Sequence, residues 1–179
     1  MTKDEGNILS NHMGPSFNRL SPILRRVHTG SQNIEGLVKI ERGNILANII
    51  CNIFRFPKAS DACILKVECH HTPTDLLWIR NFSGHIMKSS FSRRGNNLIE
   101  KLGPLDLMFS ATEKNGSLNY NFFSKKLFGI PIPKILSPNI YALEYESNGE
   151  YNFEVQVKML LIGPVLSYGG KMKLMGDEK

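Results

Sequence analysis

Cysteine is scarce in this chain: Cys51, Cys63 and Cys69 are the only three in 179 residues. An odd number of thiols, behind an N-terminus without an apolar h-region, argues against an exported disulfide framework and for a reducing, cytoplasmic compartment. Long apolar runs are missing as well. Without a stretch of about 18 apolar residues, a membrane-spanning helix is not expected. The net charge is +6, yet the basic residues are spread in small groups such as Arg25-Arg26, Arg93-Arg94 and Lys125-Lys126. That pattern favours anionic partners weakly and carries no specific nucleic-acid motif. A Ser-His-Asp order, a phosphate loop, an HExxH string and a Rossmann glycine fingerprint are all absent. No reaction is legible, and no cofactor is expected.

What is present describes an ordinary globular chain, 41% apolar and 21% charged, long enough to bury a core unaided. Residues 1–13 read as a flexible leader, 14–174 as one domain and 175–179 as a tail. Residues 16–28 read as a short helix entered through Ser21-Pro22, a capping serine before a proline at the first helical position. Asn44 can cap a second helix over residues 45–55, stopped by Pro57. Its Ile45, Leu46, Ile49, Ile50, Ile53 and Phe54 recur at helical spacing and are expected to face the core.

From residue 62 the period becomes two. Segments such as Ala62–Cys69, Leu76–Phe82 and Glu150–Leu161 alternate apolar with polar, and Asn115-Gly116 and Asn148-Gly149 are strong hairpin signals. A first strand precedes them at Gly36–Gly43. The expected fold is α+β and mostly antiparallel β. A meander of about eight or nine strands forms a curved sheet or incomplete barrel, with two short helices in the N-terminal third.

One segment resists both patterns. Gly129-Ile-Pro-Ile-Pro-Lys-Ile-Leu-Ser-Pro138 is apolar yet holds three prolines, which remove ladder donors and exclude a central strand. A rigid rim segment is expected, with Ile130, Ile132, Ile135 or Leu136 covering one end of the core.

Several short motifs recur in order: Leu20-x-Pro22 with His28, Glu41-Arg42-Gly43, Phe56-Pro57, Trp78-x-Arg80-x-Phe82, Ser89 and Glu100-x-x-Gly103. They continue through Gly129-x-Pro131-x-Pro133, Leu136-x-Pro138, Glu144, Gly149-x-x-x-Phe153 and Tyr168-x-Gly170. In that collinear order the chain resembles the bacterial family known as domain of unknown function 4166, from about Gly14 to Gly170. Leu160 stands where the family has a proline, and Gly169 where it often has a basic residue. The resemblance implies a fold and a set of special positions, and an occasional place behind oxidoreductase-like domains. It supplies no activity.

The candidate ligand-binding residues are Trp78, Arg80, Phe82, Glu100, Glu144 and His28. Trp78, Arg80 and Phe82 share one face of a strand, where a cation between aromatics can grip an anionic or aromatic ligand. Alternatively the two aromatics are core and Arg80 pairs with an inward Glu100 or Glu144. His28 is either a general base or a residue favoured by the C-terminus of its helix. Cys63, Cys69 and His71 share parity, but Cys-x5-Cys matches no standard zinc spacing, so no metal site is expected. The leading expectation is a binding module for a hydrophobic or amphipathic, lipid-like small molecule inside the barrel. The alternatives are an enzyme or oxidoreductase accessory acting on such a ligand, and a protein-interaction module using Gly129–Pro138.

Overall fold

The computed structural model describes residues 6–175. Its strands are β1 (Ser31–Arg42), β2 (Ser60–His71), β3 (Asp75–Phe82), β4 (His85–Arg94), β5 (Asn97–Leu102) and β6 (Leu105–Lys114). They continue with β7 (Ser117–Leu127), the two-residue β8 (Ile130–Pro131), β9 (Asn139–Ser147), β10 (Glu150–Met159) and β11 (Gly163–Leu174). The two-residue period decides which face is buried. On β2, Cys63, Leu65, Val67, Cys69 and His71 are buried, whereas Lys66, Glu68 and His70 between them are exposed. Each large apolar side chain turned inward in this way stabilises the fold by about 1.5–3 kcal/mol.

Apart from β8, which adds to β7 alone, every strand pairs antiparallel with two neighbours. β1 pairs with β11, and the β6–β7 and β7–β9 ladders complete the ring, giving a closed barrel of ten strands. An even number lets an up-and-down meander close with all pairs antiparallel, whereas nine strands would force one parallel pair. Closure also removes the free edges of an open sheet. The mostly antiparallel, barrel-like sheet expected from sequence is thus a closed barrel, with ten strands in the ring where about eight or nine were expected. Asn115 and Gly116 have φ of 52° and 79°, and Asn148 and Gly149 have 53° and 76°, as type I′ hairpin turns require.

Register sorts the connections between the two ends. At one end lie the start of β1 and the turns after β2, β4, β6 and β9. This end is closed by α1 (Ile8–Met13), a 3₁₀ turn (Gly14–Arg19) and α2 (Pro22–Val27), which bury Ile8, Leu9, Phe17, Leu20, Leu24 and Val27. Asn7 caps α1, its Oδ1 accepting from the Leu9 and Ser10 amides at 3.0 and 2.9 Å, while its Nδ2 donates to the His28 carbonyl at 2.5 Å. Residues 8–13 are thus a docked helix with buried side chains, not the leader expected there; residues 1–5 and 176–179 lie outside the described residues.

At the other end lie α3 (Ile45–Ile53), the turns after β3, β5 and β10, and the proline segment. α3 corrects a second expectation. Ile45, Leu46, Ile49 and Ile53 are 81%, 56%, 50% and 69% exposed, while Ala47 and Cys51 are fully buried. These two small side chains, four residues apart, allow α3 to lie close against β11; Ile50 and Phe54 are half-buried on the cavity wall as expected, and Ile45, Leu46, Ile49 and Ile53 are left outside. Asn44 fixes this pose: its Oδ1 accepts from the Ala47 amide and its Nδ2 donates to the Ile162 carbonyl, both at 3.0 Å. Arg42 ties down the far end of the helix, donating to the carbonyls of Pro57 and Phe56 at 2.9 and 2.5 Å and to Asn52 Oδ1 at 2.7 Å. A Cβ on Gly43 would meet the Pro164 carbonyl oxygen at 1.8 Å, so glycine is required beside that arginine.

Candidate functional site

Inside the barrel a cavity of about 680 Å³ runs from the floor made by the N-terminal helices to the opposite mouth. Its walls are overwhelmingly apolar, from Leu65, Val67, Met87 and Phe91 in the middle to Phe54, Ile132 and Leu136 at the mouth. The proline segment sits where expected, at a rim, but it does not seal the core. Ile130, Ile135 and Leu136 are 70%, 54% and 50% exposed, and Ile132 is half-buried in the cavity wall. Below it the β7–β9 ladder runs only from Leu118↔Glu144 to Asn121↔Tyr141. The proline segment lies between β7 and β9 at the mouth, tied to β7 where the Ile132 amide donates to the Lys125 carbonyl at 3.0 Å.

Two polar clusters interrupt the apolar wall. The deeper one centres on Glu144, only 4% exposed, on β9. His28 follows α2 at the floor and its Nε2 lies 2.6 Å from Glu144 Oε2. Because a carboxylate only accepts, Nε2 carries the proton in this bond. The Tyr120 hydroxyl donates to Glu144 Oε1 at 2.5 Å, and Tyr151 hydrogen-bonds the same carboxylate. Burial pushes the Glu144 carboxyl up, but His28 and the two phenols outweigh it, leaving it below the usual carboxylate range. Burial and then the charge of Glu144 push both Tyr120 and Tyr151 well above the usual phenol range, so both are neutral donors.

The second cluster lies nearer the middle. Arg80 on β3 donates through Nη1 to Ser89 Oγ at 2.6 Å, and its Nη2 lies 3.5 Å from Glu100 Oε1 on β5. Burial opposes its charge, but Tyr168, Glu100 and Cys69 act the other way and hold it above its ordinary value. Trp78 joins the clusters. The Arg80 guanidinium carbon sits 4.8 Å from the Trp78 ring centroid, and His28 stacks on the indole at 5.8 Å with an interplanar angle of 19°. Trp78 Nε1, His28 Nδ1 and both ring nitrogens of His71 are buried without a hydrogen-bond partner among the described residues. His71 meets the His28 ring edge-on at 5.4 Å. Burial, then His28 and His70, push the His71 imidazole down to about 3, so it is neutral at ordinary pH.

Five of the six candidate residues therefore line one cavity: His28, Trp78, Arg80, Glu100 and Glu144. Phe82, on the same strand face, is 3% exposed and packs edge-on against Tyr168 at 5.6 Å; it is not among the lining residues. Glu100 and Glu144 do not share a partner, since Arg80 takes the first and His28 the second. His28 is also the residue that ends α2. The sequence reading overlooked Tyr120, Tyr151 and Tyr168 as polar members of the interior. Strand parity was the available signal, because Tyr120 alternates inward with Leu118 and Phe122. The three thiols are free and buried, and burial, followed by Glu144, pushes Cys69 up to about 12. Among the described residues no group of three or more His, Cys, Asp or Glu side chains is placed to hold a metal ion.

Chemically the interior offers an apolar volume with one guanidinium, one charge-assisted His–Glu pair and several neutral hydroxyl donors at depth. No curated protein and no solved structure matches the chain. A family model does match, over residues 20–172 of the 179 and so over most of the barrel, under the description Domain of unknown function (DUF4166), and the chain belongs to that family.

Proposed function

We propose that the barrel is a binding module for a hydrophobic or amphipathic, lipid-like small molecule, held with its polar end toward Arg80 and Glu144 and its apolar body in the wall below the mouth. The observation that carries this reading is the cavity itself. At about 680 Å³ it falls within the roughly 300–1,000 Å³ range of small-molecule sites, and it combines apolar walls with a few convergent polar groups. Three free, buried thiols suit a cytoplasmic protein. Trp78 is the only tryptophan and lies on the cavity wall, so its fluorescence reports occupancy. Titration with long-chain fatty acids, alcohols and neutral isoprenoids should shift or quench that emission. Arg80→Gln should weaken the acids more than the alcohols. Emission unchanged across the whole panel would count against the reading.

A second reading, an enzyme or oxidoreductase accessory acting on such a ligand, draws on the His28–Glu144–Tyr120 chain. A buried imidazole held by an ionised carboxylate is the arrangement used to orient a general base. His28→Gln separates the two readings: a binding module retains its ligand unchanged in mass, whereas an enzyme loses turnover and accumulates the unreacted ligand.

A further inference from the structure

Most of the large apolar side chains left exposed gather at one end, while Leu37, Ile64, Leu77, Ile86, Phe123, Tyr141 and Met175 are exposed elsewhere. α3 turns Ile45, Leu46, Ile49 and Ile53 outward, Phe128 and Ile130 form the tip beside β8, and Leu160 and Leu161 form the β10–β11 turn. Strand register places all of them at the mouth, because β1 ends there at Arg42, β7 at Leu127 and β10 at Met159. The surface is continuous with the cavity, since Phe128, Ile130 and Leu136 belong to both rim and wall. An apolar patch of this extent on one end of a protein marks an interaction site.

Charge indicates what it meets. Residues 43–60, 114–143 and 155–176, which supply most of this rim, contain no aspartate or glutamate. They do contain Arg55, Lys58, Lys125, Lys126, Lys134 and Lys158. Among the described residues Glu41, Asp61 and Asp106 also lie at this end, Asp106 opposite Lys126, and the cations outnumber them, so the mouth carries a net positive charge around an apolar centre. Phe128 adds an independent sign. It has φ of 50°, a left-handed conformation that a bulky side chain adopts only at a cost, and it is 78% exposed. Although the residue borders the cavity, so exposed a ring gains little from burial in the core. On the barrel's outer face Lys66, Glu68, His70, Lys88 and Lys171 are interspersed with the exposed Leu37, Ile64, Leu77 and Ile86, so charge interrupts any apolar band of the kind a transmembrane barrel carries.

We propose that this rim docks on an anionic lipid bilayer and seats the mouth of the cavity on the membrane. The apolar side chains enter the boundary between headgroups and acyl chains, and the surrounding lysines and arginine face anionic headgroups. Docking requires only the rim and does not depend on the cavity being a binding site.

The test is cosedimentation of the full chain with large unilamellar vesicles of phosphatidylcholine alone and of equal parts phosphatidylcholine and phosphatidylserine. The protein should bind the mixed vesicles and bind phosphatidylcholine far less, with the difference shrinking as salt is raised. Phe128→Asn, which suits the left-handed backbone, combined with the outward-facing Ile53→Ser, should lower binding by at least about tenfold. Lys126→Gln and Lys134→Gln should each lower binding to the mixed vesicles by about fivefold. Urea unfolding should be unchanged in all of these variants, and Trp78 fluorescence in the two lysine variants, whose side chains lie outside the cavity wall, which separates loss of docking from loss of fold or of ligand. Absence of binding to both vesicles would overturn the proposal, as would binding that ignores the rim variants. So would lipid-free self-association abolished by the same variants, since the rim would then be an interface between copies of this chain.

Discussion

Arg80 and Glu100 show what single residues contribute and how far they can be read in advance. Strand parity points Trp78, Arg80 and Glu100 inward, and the structure places all three on the cavity wall. The choice of partner is not legible, because barrel closure sets it: His28 and Glu144 meet across 116 positions of sequence. Arg80 and Glu100 are nine-tenths buried, so removing one charge strands the other. Arg80→Met should cost about 3–5 kcal/mol in urea unfolding, and Arg80→Met with Glu100→Leu should recover much of it. His71 makes a pH prediction. Folded, it stays neutral down to about pH 3; unfolded, it takes up a proton below about 6.5. The unfolded chain therefore binds more protons in that window, so stability falls as pH drops from 6.5 toward 3. Glu144, held below its usual range, acts in the same direction, its contribution present above the unfolded value and lost as pH falls through the folded one. Between pH 7 and pH 4 the His71 contribution is about 3 kcal/mol at most. His71→Leu should lose correspondingly less stability over that interval, and equal losses in both proteins would contradict the assignment.

At the scale of elements, α3 shows where sequence reading succeeds and where it stops. Asn44 and the helical spacing after it predict the helix, and Asn44 caps it. The spacing does not say which face packs. The apolar stripe is the broader face, yet only its Ile50 and Phe54 are half-buried while Ala47 and Cys51 lie against β11, because close approach to a sheet rewards small side chains rather than hydrophobic ones alone. Ile49→Ser should therefore change stability by no more than about 0.5 kcal/mol, as for an ordinary surface position. Ala47→Leu should cost about 1–3 kcal/mol through overpacking. The reverse order in thermal or urea unfolding would mean that α3 packs the other way round. The docked helix over residues 8–13 was missed for a related reason: a short apolar pair, Ile8-Leu9, carries too little periodicity to stand out from a polar terminus. The proline segment was placed at a rim correctly, but its exposure is larger than a covering role implies. Ile132, half-buried, should cost about 1 kcal/mol on truncation to alanine rather than the larger loss of a core isoleucine.

For the whole molecule, alternation and two Asn-Gly turns make a mostly antiparallel meander legible, whereas closure depends on pairing between β1 and β11 at opposite ends of the chain. That pairing creates the interior volume and brings its polar groups together. The central claim is that this volume holds a lipid-like molecule, and native mass spectrometry of the chain tests it most directly. Spectra recorded after incubation with an equimolar mixture of fatty acids and isoprenoids should show one adduct per chain, retained at gentle activation. The adduct should be diminished when Met87 and Val67, which face the cavity, are replaced by bulkier phenylalanines. Spectra showing only the bare chain, or adducts as abundant in the filled variant as in the original, would contradict the account.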